Sequence, residues 1–392
     1  MLGLLLARAG VRAVVLEKHA DFFRDFRGDT IHPSTLEIVE ELGLSERFAR
    51  VPQYRMSELR VVTDAGSATI VDLRDQGLRH PHIAFVPQWD FLDFLTDEAR
   101  RYETFELRME AEVIETIRAQ GRVVGVRYRA PDGMRELRSD LTVAADGRDS
   151  SLRRDAGLRS RHYGAPMDVL WFRVSRHESD PDGTFGRITS GRFMAMISRG
   201  TYWQAGYVVP KGSDAELRSQ PIEELRRSLA ELLPFLADRV SELAGWGDVR
   251  TLEVQVNRLR RWHAPGLLCI GDAAHAMSPI GGIGINLAIQ DAVAAANLLA
   301  EPLLRGSLDE RDLARVQRRR TLPTAVTQAI QRLIQRVLIR PVLSGRAFAP
   351  PRALRYVARV KALRRLPARF IGVGVLPEHV RTRDVGAKRA GA

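Results

Sequence analysis

The sequence predicts an α/β protein in which a β-rich block interrupts one α/β domain and a helical segment ends the chain. Three observations predict this class. The short apolar runs VRAVVLEKH, LTVAAD and LLCIGD each meet an acidic residue, which is typical of buried parallel strands. Helical patterns separate these runs, and residues 164–249 contain longer strands rich in aromatic side chains. A chain of 392 residues with 45% apolar and 28% charged residues is long enough for two soluble domains.

The first element begins with MLGLLLARAG, which has the leucines of a signal peptide without its basic leader. Arg8 and Arg12 also exclude a membrane-spanning helix of about 20 apolar residues. The pattern predicts a helix that stops at Gly10 and a buried strand over about residues 11–17 that ends at Glu17. A helix, a glycine and a strand ending in an acid are the second half of a βαβ unit.

The next elements follow in order along the chain. A loop and an amphipathic helix occupy the stretch RDFRGDTIHPSTLEIVEELGL, and ELRVVTDAGSATIVDL predicts a hairpin with its turn at Asp64–Gly66. PQWDFLDFLTDEARR is predicted to be a helix. Short strands joined at Gln120-Gly121 and Asp132-Gly133 then lead to LTVAAD, and from Asn286 onward the pattern is almost entirely helical.

Charge and cysteine content limit the function classes. Residues 331–392 contain 15 Lys and Arg against Glu378 and Asp384, so this segment carries +13 while the rest of the chain is near neutral. A basic segment suits an anionic lipid surface or is a solvated helical face, and no nucleic-acid recognition module is visible. The single cysteine, Cys269, excludes a disulfide framework and suits a reducing cytoplasm. No Cys/His cluster has metal-ligand spacing, so we expect no metal site.

Two polar motifs follow predicted strands. An acid at the position of Glu17 accepts hydrogen bonds from ribose hydroxyls in dinucleotide-binding folds, although strands also end in charged residues at ordinary surfaces. DGRDSSLRR, from Asp146 to Arg154, places a polar turn at the carboxyl end of a strand, where α/β folds bind ligands. Ser150 in this turn suits a helix cap, so binding and capping are both open for this motif.

The third motif, GDAAHAMSPIGGIGIN, combines an acid, a glycine-rich loop and the start of a long apolar helix. Glycines allow a flat cofactor to approach the backbone, and a helix start presents unpaired N–H groups and a positive dipole end. Asp272 can accept hydrogen bonds from a polyol. His275 in the same stretch is expected to be structural.

Taken in this order, the three motifs resemble the class A flavoprotein aromatic hydroxylases, the para-hydroxybenzoate hydroxylase family, over about residues 1–300. The resemblance implies a Rossmann-like FAD-binding domain with an inserted mixed β-sheet substrate domain and a helical C-terminal segment. The expected boundaries are 1–57, 84–163 and 250–300 for the FAD-binding domain, 58–83 and 164–249 for the substrate domain, and 301–392 for the basic helical segment.

The resemblance also implies the chemistry. In this family NAD(P)H reduces FAD, the flavin reacts with oxygen, and a flavin hydroperoxide hydroxylates an aromatic or polycyclic small molecule. Each cofactor contact that the resemblance implies falls on one of these motifs or on a nearby loop. They are Glu17 at the ribose, Arg27 at the pyrophosphate or ribityl chain, Gln88 at the cofactor, Asp146 and Arg153 in the motif shared by FAD and NAD(P)H, Asp272 at the ribityl hydroxyls, Pro279 on the substrate side of the ring, and Gly284, Ile285 and Asn286 at the flavin ring.

The inserted sheet supplies the candidates for the substrate pocket, which strand alternation alone does not rank. They are Trp171, Arg173, Arg192, Trp203, Gln204 and Tyr207. Three other functions stay open: a flavin reductase or dehydrogenase of the same fold, a halogenase, which is disfavoured because no Trp-x-Trp-x-Ile-Pro stretch occurs, and a non-catalytic remnant. Basic and apolar residues alternate in the C-terminal segment, which favours peripheral contact of an otherwise cytoplasmic protein with an anionic membrane.

The opening helix carries one further expectation. In the family a strand and a Gly-x-Gly-x-x-Gly turn precede this helix, and neither stands before Met1. We therefore expect about a dozen or more residues upstream, weak FAD binding and poor folding of the chain as it stands. Gly3 would be the small residue that lets the helix pack closely on the sheet.

Overall fold

The computed structural model describes residues 1–23, 30–74, 76–345 and 361–386, with residues 361–364 described for the backbone only. In these residues the strands are β1 (Ala13–Leu16), β2 (Thr30–Ile31), β3 (Tyr54–Met56), β4 (Glu58–Thr63), β5 (Gly66–Asp72), β6 (Ile83–Phe85), β7 (Phe105–Arg108), β8 (Glu112–Ala119), β9 (Arg122–Ala130), β10 (Gly133–Arg138), β11 (Thr142–Ala144), β12 (Ser160–His162), β13 (Met167–Ser175), β14 (Phe185–Thr189), β15 (Arg192–Ser198), β16 (Tyr202–Pro210), β17 (Arg250–Leu252), β18 (Asn257–Leu259), β19 (His263–Ala264) and β20 (Leu267–Cys269). The α-helices are α1 (Leu2–Arg8), α2 (Pro33–Glu41), α3 (Ser45–Phe48), α4 (Gln88–Ala99), α5 (Ser151–Asp155), α6 (Asp214–Arg218), α7 (Ile222–Leu232), α8 (Gly284–Leu304), α9 (Glu310–Ile334), α10 (Arg340–Leu343) and α11 (Lys361–Gly372).

Two parallel strand pairs form the α/β part of the molecule. β1 pairs with β7, and β11 pairs with β20, which also takes β19 on its other side. The two pairs belong to separate hydrogen-bonded sheets in the described residues. All three residues of β20 are buried, as expected for a parallel strand that is covered on both faces.

Helix α1 packs on the first strand pair and on α8, and its Leu4, Leu5 and Leu6 side chains are buried. A Cβ atom at Gly3 would lie 2.9 Å from the side chains of both Val15 in β1 and Phe105 in β7. The prediction that Gly3 permits close packing on the sheet is therefore confirmed. Gly10 ends the helix with φ +87°, a conformation that favours glycine.

Seven strands form the largest sheet, in the order β17-β13-β16-β15-β14-β4-β5. The hairpin β4–β5, which lies far from the other strands in the sequence, joins this sheet through the parallel pair β4–β14. One face packs on α7, which buries Leu225, Leu229 and Leu232 against it. The sheet is thus an inserted layer with one face closed by helices.

Helices α8 and α9 close the α/β part. The stretch Ile280–Leu304 is long and apolar enough to cross a membrane by length and composition, but most of it is buried in the protein core. α9 continues through a π-helical turn at Gln335–Ile339 into α10. Residues beyond α11 then cross the outside of α8, where the Asn297 side chain donates to the His379 carbonyl at 2.8 Å and accepts from the Arg381 N–H at 2.8 Å.

Candidate active site

The second and third motifs meet at one edge of a sheet because β11 and β20 are parallel neighbours. Asp146 and Asp272 follow these two strands. Arg148 Nε donates to Asp272 Oδ2 at 3.0 Å, and Arg153 Nη1 donates to the Ala273 carbonyl at 3.2 Å. Two motifs that lie more than 120 residues apart in the sequence therefore form one polar unit at the carboxyl ends of the strands, as α/β ligand sites require.

The turn at Asp146 also caps α5. Ser150 Oγ accepts from the Arg153 N–H at 3.0 Å, and Asp146 Oδ2 accepts from the Ser151 N–H at 3.0 Å. Arg153 is 9% exposed and its second guanidinium nitrogen donates to the Arg148 carbonyl at 2.6 Å. Arg153 thus fixes the turn from inside, while Asp146 is exposed.

The glycine-rich loop is shaped by close backbone approach. Gly281 and Gly282 have φ values of +81° and +62° in the short helical turn after Pro279. A Cβ atom at Gly282 would lie 2.3 Å from Thr30 Oγ1, which donates to the Gly282 carbonyl at 2.8 Å. Only glycine allows this contact between the loop and β2.

The start of α8 is fixed by Asn286. Its side-chain oxygen accepts from the His32 N–H at 2.9 Å and from Thr35 Oγ1 at 2.8 Å, and its side-chain nitrogen donates to the Thr30 carbonyl at 2.8 Å. The Asn286 side chain therefore ties α8 to the start of α2. Gly284 and Ile285 are partly exposed, so the first-turn N–H groups are the part of this helix start that can face a ligand.

The remaining predicted contacts are Glu17, Gln88 and Arg27. Glu17 directly follows β1, and its Oε1 accepts from the His19 N–H at 3.0 Å. Gln88 is the first residue of α4 and is partly exposed. Arg27 lies outside the described residues. The cofactor roles of these residues stay predictions.

A buried charged network lies behind the loop, and the sequence motifs did not predict it. His275 Nε2 lies 2.6 Å from Asp291 Oδ2, which also accepts from the Gly271 N–H at 3.1 Å. Arg320 Nε donates to the other carboxylate oxygen of Asp291 at 2.8 Å, and Glu378 lies 3.4 Å from the same guanidinium. His275 is thus held inside the core, as expected for a structural residue. The sequence spacing of Asp291 in α8 and Arg320 in α9 does not indicate that their side chains pair.

The strand register divides the pocket candidates between the two faces of the large sheet. Trp203 and Tyr207 lie on the face covered by α7, and Arg192 forms an ion pair with Glu231 of that helix at 2.9 Å. In β13, Trp171 lies opposite Gly206 and Arg173 lies opposite Gln204 of β16. Trp171, Arg173 and Gln204 therefore lie on the other face of the sheet.

This second face contacts the glycine-rich loop. Ile280, Trp171 and Phe193 are partly buried and all pack against one apolar cluster, which includes Val208 of β16. A Cβ atom at Gly206 would lie 3.0 Å from the Trp171 ring, so the indole lies directly against the strand. The Trp171 face is therefore the one that can form a wall opposite a ligand at the loop.

The residue types at this edge fit a flavin dinucleotide. Asp272 is partly exposed and can accept hydrogen bonds from a polyol, and the glycine loop brings backbone close to the helix start. The helix dipole gives the start of α8 a positive potential, which would stabilise the negative charge of a reduced flavin ring. The site is thus chemically suited to bind FAD.

Comparisons with known proteins show the family. The family model described as FAD binding domain matches residues 1–331. The 6-methylpretetramide 4-monooxygenase of Streptomyces rimosus is 31% identical over 93% of this chain and 87% of its own length. Digeranylgeranylglycerophospholipid reductase 2 of Methanothermobacter thermautotrophicus is 32% identical over 51% of each chain.

A solved structure has the same fold. The crystal structure of PqsL, described as a probable FAD-dependent monooxygenase from Pseudomonas aeruginosa, has a TM-score of 0.73 at 23% identity and covers 88% of this chain and 94% of its own. The chain therefore belongs to the FAD-binding-domain family, as its resemblance to the class A flavoprotein hydroxylases implied, and it is an FAD-dependent oxidoreductase of the monooxygenase type.

Proposed function

We propose that this protein hydroxylates a polycyclic aromatic molecule that binds between the loop Pro279–Gly282 and the Trp171 face of the large sheet. The observation that carries the proposal is that Ile280 of the loop, Trp171 and Phe193 all pack against one apolar cluster. A broad aromatic wall opposite the flavin suits a flat, extended ring system, since aromatic faces stack favourably. The relative that acts on 6-methylpretetramide supports the same substrate class.

The protein's own groups would position the reactants. Bound FAD supplies the redox chemistry, with NAD(P)H and oxygen as co-substrates. Glu17 and Asp272 would accept hydrogen bonds from cofactor hydroxyls, and the first turn of α8 would stabilise negative charge on the ring. The Trp171 and Phe193 side chains would exclude water from the reacting carbon, which strengthens electrostatic interactions there.

Isotope incorporation tests the proposal. The purified protein, supplied with FAD and NADPH under ¹⁸O₂, is expected to add one ¹⁸O atom to a polycyclic phenol, as measured by mass spectrometry. A reaction without added NADPH is the control. A product that gains two hydrogen atoms and no ¹⁸O would instead identify a reductase, the function of the second relative. If neither product forms with a panel of polycyclic phenols, the proposed substrate class is wrong.

We also infer that the outer face of α9 and its continuation contacts an anionic lipid surface. Leu322, Leu333 and Val337 on this face are 56%, 58% and 40% exposed. The chain contains no Asp or Glu between Asp312 and Glu378, so every charged side chain in this stretch of the sequence is positive. Exposed aliphatic side chains among arginines suit a membrane of negative charge better than a second copy of the same basic face.

Vesicle co-sedimentation tests this contact. Leu333→Gln is expected to reduce binding to vesicles that contain phosphatidylglycerol, and about 0.5 M salt should do the same because it screens the arginines. Leu304→Gln is the matched control, because Leu304 is 57% exposed at the end of α8 and lies beside Gly10 at the end of α1. Deleting residues 331–392 is a poor test, since Ala368 and Gln331 are fully buried. Equal binding of both variants and the unchanged protein would contradict the inference.

A further inference from the structure

A small cavity, lined by both apolar and buried polar side chains, lies between the first turns of α8 and the C-terminal segment. Its volume is about 20 Å³. The residues that line it include His32, Asn286, Gln290, Arg320, Ile371 and Gly374. Nearly all of these polar side chains are inaccessible: His32 is 1% exposed, Gln290 4% and Arg320 fully buried. These polar side chains are therefore shielded from bulk water.

Three side chains at this cavity each have one buried polar atom without a hydrogen-bond partner among the described residues. These atoms are His32 Nε2, Gln290 Nε2 and Arg320 Nη2. Buried polar groups are almost always paired in folded proteins, through water where no protein atom is available. Three orphan atoms on one cavity point to a bound polar molecule.

The hydrogen-bonding character of each atom is fixed by its surroundings. His32 Nδ1 lies 2.6 Å from the Ile371 carbonyl, which can only accept, so the proton is on Nδ1 and Nε2 is an acceptor. Burial lowers the pKa of His32 to about 4, despite the opposing effect of the hydrogen bond to Ile371, so the ring is neutral near pH 7. The Gln290 oxygen accepts from the Glu378 N–H, which leaves the Gln290 nitrogen as a donor.

The charge at the cavity is already balanced. Arg320 is paired with Asp291 at 2.8 Å and lies 3.4 Å from Glu378, and Arg319 pairs with Glu378 at 2.7 Å. A bound anion would add an uncompensated buried charge, which is costly. Two donors and one acceptor around a neutral cavity are complementary to a molecule with two lone pairs and a hydrogen to donate.

We propose that this cavity binds one ordered water molecule, which accepts hydrogen bonds from Gln290 and Arg320 and donates one to His32. The volume is sufficient for a water molecule. The water would join the starts of α2 and α8 to α9, and its three partners also hold the C-terminal segment through Ile371 and Glu378. Because the His32 N–H donates to Asn286, this bridge supports the first turn of α8 from behind.

A crystal structure of the full chain at about 2 Å or better tests the site. We expect a density peak within hydrogen-bond distance of all three atoms. An empty cavity, or side chains rearranged so that the three atoms pair directly, would overturn the proposal. Crystals grown in bromide distinguish an anion, since an anomalous peak at this position would also overturn it.

A measurement in solution tests for the same bound water without a crystal. Magnetic relaxation dispersion of ¹⁷O-labelled water counts internal waters with long residence times, and Gln290→Met is expected to lower this count by one. Gln317→Met is the matched control, since Gln317 also lies on a core helix and makes two hydrogen bonds, with Trp262 and Arg260, but does not line the cavity. An unchanged count in Gln290→Met, or an equal loss in the control, would contradict the water site.

Discussion

Replacing Asp291 with asparagine tests whether the buried network supports the glycine-rich loop. The Asp291 carboxylate is fully buried and is bonded to Gly271, His275 and Arg320. The Asp291→Asn variant would keep the shape of the side chain but remove its charge, which leaves Arg320 with Glu378 alone at 3.4 Å. Removing one partner of a buried ion pair costs about 3–5 kcal/mol.

The expected loss of thermal stability follows from chain length. An unfolding entropy of about 2 cal/mol/K per residue gives about 0.8 kcal/mol/K for a chain of this size, so the Tm should fall by about 4–6 °C. Differential scanning calorimetry at pH 7 measures the change. Asp97→Asn is the matched control, because Asp97 lies 3.4 Å from Arg100 in an exposed pair and should change the Tm by less than about 1 °C.

The pH dependence gives a second readout. Burial raises the pKa of the Asp291 carboxyl, but His275 and Arg320 outweigh this effect and lower the pKa below its usual range. The stabilisation is therefore complete above the unfolded pKa of about 3.9 and is lost as the pH falls through the lower folded pKa. The Tm difference between Asp291→Asn and the unchanged protein should stay constant from pH 7 to pH 5 and narrow below about pH 4. A difference under about 1 °C at pH 7, or one that widens on acidification, would refute the reasoning.

Three further substitutions test the site. Gly282→Ala should lower both the Tm and the affinity for FAD, because its Cβ would clash with the Thr30 hydroxyl. Gly306→Ala is the control, since Gly306 has the same φ of +62° but no atom close to its Cβ position. It should lower the Tm less, through backbone strain alone. Asp272→Asn should weaken FAD binding about tenfold, as measured by flavin fluorescence, if the carboxylate accepts ribityl hydroxyls; an unchanged Kd would exclude that role. Trp171→Phe should raise the KM for the aromatic substrate with little change in Tm. Trp203→Phe should lower the Tm instead, since Trp203 is fully buried on the other face and donates a hydrogen bond to the buried Asp180 carboxylate. If Trp203→Phe raised the KM and Trp171→Phe lowered the Tm, the substrate would bind on the α7 side of the sheet.

The sequence predicted the parts of the site that depend on local chemistry. A strand that ends at an acid, a turn that begins with Asp146-Gly147 and a glycine-rich loop before an apolar helix are short stretches whose conformations are set by neighbouring residues. The helix stop at Gly10 and the close packing at Gly3 were predictable for the same reason, because both depend on the absence of a side chain.

Pairings between distant elements could not be predicted in this way. Arg148 was not singled out, although its bond to Asp272 joins two motifs, because only the parallel alignment of β11 and β20 brings the two residues together. Asn286 was expected at the flavin ring, and no spacing indicated that its side chain also holds the start of α2.

Strand register gives the plainest contrast between sequence and fold. The sequence by itself determined that Trp171, Gln204 and Trp203 lie on strands of one inserted sheet, because local patterns specify strands. Only the tertiary structure decided which of them face the loop at Ile280 and which face α7. The physical reason is that a shift of one residue in register exchanges the two faces of a strand, and the register is set by packing against elements far away in the chain.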